Sequence, residues 1–207
     1  MEDLPFKLTL FAVLLVSLSI HEAAHAWAAN QLGDPTARLL GRLTLNPIRH
    51  IDPIGTLLLP AVAIFTGLPI IGWAKPVPVD LRNLRHPRRD FMYVAAAGPA
   101  SNLAQAGLLA IAAQLLFPGG LGQGFAAGLL LQGIFLNVLL ALFNLIPIPP
   151  LDGGNVLSGL LPERMAVSYD RVVRPFGFLI LYGLLLTGVF SAVILPPAIH
   201  LTRMLLP

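Results

Sequence analysis

Residues 8–32 read LTLFAVLLVSLSIHEAAHAWAANQL. As far as Ile20 the run has the composition of a membrane-spanning helix, and then His21, Glu22 and His25 interrupt it. An ionisable side chain at bilayer depth costs about 3 kcal/mol or more, so such residues face a protein interior and serve a function. On a helix, His21 and His25 stand at i and i+4 on one face. Both imidazoles can reach one tetrahedral metal ion while Glu22 stands beside it. That is the arrangement metal-assisted hydrolysis requires, with the ion acidifying a water and a carboxylate that is not a ligand moving protons. A His–Glu–His trio without a metal would need three separate partners to offset its desolvation.

The rest of the chain agrees with a bilayer. Of its 207 residues 56% are hydrophobic and 11% charged, with a mean hydropathy of +0.79, which excludes an ordinary soluble domain. The 8–32 run is too long for the apolar region of a signal peptide and has no small-residue cleavage pattern after it, so it reads as a retained span. There is no cysteine, which excludes disulfides and thiolate ligands. The basic balance, pI about 9.8, is explained by basic loops on the cytoplasmic side of a membrane rather than by nucleic acid.

The sequence predicts one all-α, polytopic membrane domain over residues 1–207. Four segments can cross about 30 Å of hydrocarbon: about 8–32, 91–117, 124–148 and 174–195. Turn chemistry ends them at Gly33-Asp34-Pro35, Pro118-Gly119-Gly120, the IPIPP cluster and Pro196-Pro197. A fifth stretch, 54–72, is broken by Pro60, Gly67 and Pro69. Arg38, Arg42 and Arg49 precede it and Lys75, Arg82, Arg85, Arg88 and Arg89 follow it, while residues 118–123 carry no charge. Both basic loops are cytoplasmic only if 54–72 enters and leaves on the same face, as a re-entrant or β-containing element.

A catalytic zinc needs a third protein ligand and an open position. Asp152, in NLIPIPPLDGGNVL, is the outstanding carboxylate at membrane depth, the plain alternative being an Asp-Gly turn after a helix. With 54–72 re-entrant, His25 and Asp152 reach the same cytoplasmic-side level. A single crossing would separate them by about 20 Å at 1.5 Å per residue. Asn102, closing the small-residue patch Ala95–Ser101, reads as interhelical glue or as an oxyanion donor. Asn137 and Asn144 share a helical face, so one can support the other. His50 and Asp52 sit in a proline-flanked loop and read as structuring residues. Prolines 76 and 78 make GWAKPVPV (72–79) extended chain. Trp73, Lys75, Pro76 and Val77 are therefore candidates for a strand edge to which an unwound substrate adds, and Gly41–Leu45 is the other candidate.

Five stretches taken together, HEAAHAWAANQLGDPTAR, GRLTLNPIRHIDPIGTLLLP, GWAKPVPV, AAAGPASN and NLIPIPPLDGG, resemble the site-2 protease family of intramembrane zinc metalloproteases, in a compact prokaryotic form without PDZ or CBS modules. The resemblance covers about residues 18–158. It implies one Zn²⁺ per chain held by His21, His25 and Asp152, with Glu22 as general base. It implies that Asn144 holds substrate or oxyanion, and it sets Asn102 in the same core. It further implies a single-span membrane protein as substrate, in a prokaryotic cell membrane with the active site toward the cytoplasm, and release of a membrane-tethered regulator as the outcome. The alternative from another class, a membrane metal-binding or cation transport protein, would need ionisable sites continuing toward both faces, whereas here they cluster at one depth.

Overall fold

The computed structural model describes residues 4–58, 62 and 74–206. Eight α-helices are labelled in chain order: α1 Leu4–Gln31, α2 Thr36–Leu39, α3 Pro87–Leu116, α4 Phe125–Asn144, α5 Asp152–Leu160, α6 Glu163–Val173, α7 Gly177–Leu186 and α8 Val189–Leu205. Short 3-10 turns at Pro47–Arg49, Leu81–Asn83 and Arg174–Phe176 and a π-helical turn at Pro53–Leu58 lie between them. Among the described residues no strand forms.

Helix α1 is divided along its length. Its early apolar residues Leu8, Phe11 and Val16 are exposed, whereas Ser17, Ser19, His21, Glu22, His25, Ala26 and Ala29 are buried. Apolar side chains outward and small or polar ones inward is the pattern of a helix that meets lipid on one side and protein on the other. At the centre lies α3, packed against α1, α4 and α5. Pro87 occupies its first turn and the buried Asp90 carboxylate accepts from His86 N at 2.7 Å, an anion placed at the positive helix end. Farther along, Ala106, Ala110 and Ala113 form a stripe at helical spacing that lets Ile134 and Val138 of α4 and Ala198 of α8 approach closely.

Helices α1, α3 and α4 are each long and apolar enough to cross a membrane. The expected fourth span, 174–195, falls on a bent helix pair, which gives four candidate spans when the pair is counted as one. Past the C-cap Thr187 of α7, Gly188 takes a left-handed φ of +73°, and the helical stretches Glu163–Leu186 and Val189–Leu205 meet at 78°. Pro196 and Pro197, expected to end the span, lie inside α8, which rests on α4 and α7. The third span stops at Asn144 rather than 148. Of the expected re-entrant element 54–72, residues 59–61 and 63–72 lie outside the described residues, as does Trp73.

Candidate active site

Helix α1 delivers His21 and His25 to the same face, where Nε2 of one stands 3.0 Å from Nε2 of the other. Helix α5 begins with Asp152, whose Oδ2 lies 3.1 Å from His21 Nε2 and 3.4 Å from His25 Nε2. Residues 131 positions apart in sequence thus bring three donor atoms to one point. The far side of each ring decides its protonation. His21 Nδ1 donates to Asn102 Oδ1 at 2.6 Å and His25 Nδ1 to the Val94 carbonyl at 2.7 Å, so both Nε2 atoms turn lone pairs inward. Asp152 Oδ2 is buried with no hydrogen-bond partner. Three lone pairs converging in a buried site repel unless a cation sits among them. Their separations match the roughly 3.3 Å between neighbouring ligands of a tetrahedral zinc with bonds of about 2.0–2.1 Å, so these residues fit that ion.

The rings are aimed by α3. Val94, Gly98 and Asn102 recur every four residues on one face, opposite His25 and His21 on α1. A Cβ on Gly98 would fall on both imidazoles, with His21 Nε2 at 2.5 Å, so only glycine admits them. Behind Asn102, which is fully buried, Nδ2 donates to Asn137 Oδ1 at 3.0 Å, and Asn137 Nδ2 donates to Ser17 Oγ and Gly133 O, each at 3.0 Å. The Asn102 amide is therefore engaged by the His21 ring on one side and by Asn137 on the other. Asn137 supports Asn102, not Asn144 as the shared helical face suggested. At the last residue of α4, Asn144 Nδ2 donates to Leu140 O at 3.0 Å within its own helix.

Asp152 is held from the other end of α5. Arg88 of α3 donates from Nε and Nη2 to Ser158 O, at 3.0 and 2.7 Å, and from Nη2 to Leu161 O, satisfying carbonyls at the helix C-terminus. Ser158 Oγ donates to Asp170 Oδ2 at 2.9 Å, and Arg174 bonds both Asp170 and Asn155, tying α6 to α5.

Glu22, 9% exposed, accepts at Oε2 from Val77 N at 3.1 Å. This brings the 74–80 segment to the site, as neither helix nor strand. Lys75 N donates to His50 O at 2.8 Å, Lys75 O accepts from Arg42 Nη2 at 2.5 Å and Asp80 N donates to Asp34 Oδ2 at 2.8 Å. Without a substrate, this segment forms no strand, and its amides are engaged within the chain. The N–H groups of Lys75 and Val77 already have partners within the chain, and Pro76 has no N–H to offer. Asp34, fully buried, also accepts from Thr36 Oγ1 and Asn83 Nδ2. Burial works to raise its carboxyl, and hydrogen bonds from Thr36, Asn83 and Asp80 outweigh it and hold the group below the ordinary carboxylate range. His50 and Asp52 structure the neighbouring loop: His50 Nε2 bonds Thr44 O, and Asp52 Oδ1 accepts from Ile54 N and Gly55 N.

Membrane helices around a His–His–Asp centre with an adjoining glutamate define a membrane-embedded metallopeptidase. Residues 121–187 match the profile of peptidase family M50. The chain is 40% identical over 200 residues to a Bacillus subtilis (strain 168) protein named "Putative zinc metalloprotease YwhC", covering 90% of this chain and 84% of that one. It is 36% identical over 176 residues to a protein of Mycolicibacterium smegmatis, named in the same way as the zinc metalloprotease Rip2, covering 84% of this chain and 64% of that one. No solved structure gives a significant match. The chain belongs to peptidase family M50, the site-2 protease family.

Proposed function

We propose that this zinc-dependent peptidase uses His21, His25 and Asp152 as its metal ligands and Glu22 as its general base. The reading rests on the convergence of the two Nε2 atoms and Asp152 Oδ2, all as lone-pair donors, in one buried site. Zinc, when bound there, acidifies a water and polarises the scissile carbonyl. Glu22 takes the proton of the attacking water and delivers it to the leaving amine. The second amide hydrogen of Asn144 is the donor assigned to the tetrahedral oxyanion. Asn102 acts one step back, by keeping the proton of His21 on Nδ1 and the lone pair of Nε2 on the metal. Lys75, Pro76 and Val77 are assigned to the substrate beside the scissile bond, a reading supported by the Val77 contact with Glu22, and Trp73, outside the described residues, is assigned with them from the sequence.

The substrate proposed is a single-span membrane protein, cut in or beside its own transmembrane segment after local unwinding, because an intact helix keeps its carbonyls in hydrogen bonds. Arg38, Arg49, Lys75, Arg82 and Arg85 in the connections, Arg88 and Arg89 in the first turn of α3, and Arg164, Arg171 and Arg174 in and just after α6 support a site toward the cytoplasm of a prokaryotic cell, by the bias of basic residues to that side. Release of a membrane-tethered regulator is the consequence assigned to the cut. Co-expression with tagged single-span substrates tests the reading: wild type is expected to yield the cut fragment and Glu22→Gln none. Cleavage by Glu22→Gln would overturn it.

A further inference from the structure

The stretch GRLTLNPIRH, residues 41–50, is left without a role by the reaction itself. It contributes two buried side chains, Arg42 at 7% and His50 at 3% exposure. Arg42 N bonds Ala37 O, which closes α2 and starts the chain inward. The Arg42 guanidinium then crosses to the Lys75 carbonyl, while its Nε is buried without a partner. A buried donor left unmade is costly, and a methionine of similar length would pack there without that cost. Packing alone therefore does not account for an arginine at this position.

What the guanidinium holds is informative. Lys75 is fixed on both backbone groups, its carbonyl by Arg42 and its amide by the His50 carbonyl. Two residues on, Val77 N reaches Glu22 Oε2, the hydrogen bond given to that carboxylate among the described residues. Pro76 and Pro78 flank Val77 and can neither donate in its place nor rotate freely about φ. The far end is held at Asp80 by Asp34. A displacement at Lys75 is thus transmitted to Val77 with little room to be absorbed.

We propose that Arg42 is a positioning residue for proteolysis: by clamping Lys75 it fixes Val77 and, through the Val77 N–H, the placement of the Glu22 carboxylate. The inference deepens the proposed function and rests on Glu22 as its base. The role assigned to Arg42 runs through Lys75 and Val77 rather than through the metal ligands. Its effect is on turnover, since a carboxylate displaced by about 1 Å is enough to lower a rate by up to about 100-fold.

The experiment uses the full chain in detergent micelles, comparing wild type, Arg42→Met, Arg42→Lys, Val77→Pro and the Arg42→Met/Val77→Pro double variant. Arg42→Met should lower kcat about 10- to 100-fold with KM within about two-fold, while thermal stability and one zinc per chain are retained. Arg42→Lys, which can still donate to the Lys75 carbonyl, should recover part of the loss. Val77→Pro removes the N–H itself and should reproduce the defect, with the double variant no worse than the poorer single one. Amide exchange at Lys75 and Val77 is read in parallel and should accelerate in Arg42→Met. Wild-type kcat in a zinc-loaded Arg42→Met protein, additive losses in the double variant, or unchanged exchange would each overturn the clamp. Cleavage by Glu22→Gln in the same assay would instead overturn the assignment of the base, and the exchange arm would still decide whether Arg42 holds the segment.

Discussion

The two sides of the metal centre are built differently. Behind the ligands everything stands on helices: His21 leans on Asn102, Asn102 on Asn137, and Asn137 on Ser17 and Gly133, across α1, α3 and α4. In front, Glu22 meets Val77, from a segment without regular structure whose own anchors are Arg42, His50 and Asp34. The first side suits groups that must keep one geometry to hold an ion. The second suits a group that must exchange partners as water, substrate and product pass. Damage behind the rings should cost metal and damage in front should cost turnover, and substitutions can be chosen to break that division.

The largest effect is expected from Gly98→Leu. A side chain there occupies the space of both imidazoles, so the variant should lose zinc and activity together, by metal analysis of purified protein. A zinc-loaded, active Gly98→Leu would mean that α3 does not aim the rings. Next is Asn144→Ala, with kcat expected to fall about 10²- to 10³-fold, the loss for one oxyanion donor, and zinc unchanged. If the amide instead serves only the Leu140 carbonyl, turnover of the folded enzyme will be normal. Asn102→Ala should weaken zinc by about 10- to 100-fold, measured by chelator competition, with partial activity restored at saturating metal.

The smallest effect concerns Asp34. Its carboxyl is held below the ordinary range, so its contribution to stability is present above the unfolded value of about 3.9 and is lost as pH falls through the lower folded value. Asp34→Asn should therefore lower stability by about 1 kcal/mol near neutrality and flatten the acid limb of the unfolding profile. An unaltered acid limb would remove Asp34 as the anchor of the front segment.

The side facing the ion was the readable one. His21 and His25 announce themselves by spacing, and Asp152 by sharing their depth, because ionisable residues in an apolar run have few alternatives. The support was less visible: GPASN looked like a packing patch. Its meaning depends on α3 lying against α1 so that Val94, Gly98 and Asn102 face the histidines, a pairing of helices that no single stretch encodes. The shared period of four in both stripes was the available signal. The break at Gly188 was hidden because FLILYGLLLTGVF is apolar all round, so one glycine carries no contrast, while Pro196-Pro197 drew the boundary too late. The engagement of the 74–80 segment was hidden for a related reason. Prolines do mark an irregular segment, but whether its N–H groups are free depends on Glu22 and His50 lying opposite.

The central claim is that three side chains hold zinc and the fourth does not. Zinc stoichiometry in purified Glu22→Gln and Asp152→Ala, prepared side by side with wild type, tests it directly. About one zinc per chain in wild type and Glu22→Gln and none in Asp152→Ala is the expected result, because the glutamate is not a ligand and the aspartate is. Full zinc in Asp152→Ala, or its loss from Glu22→Gln, would contradict the account.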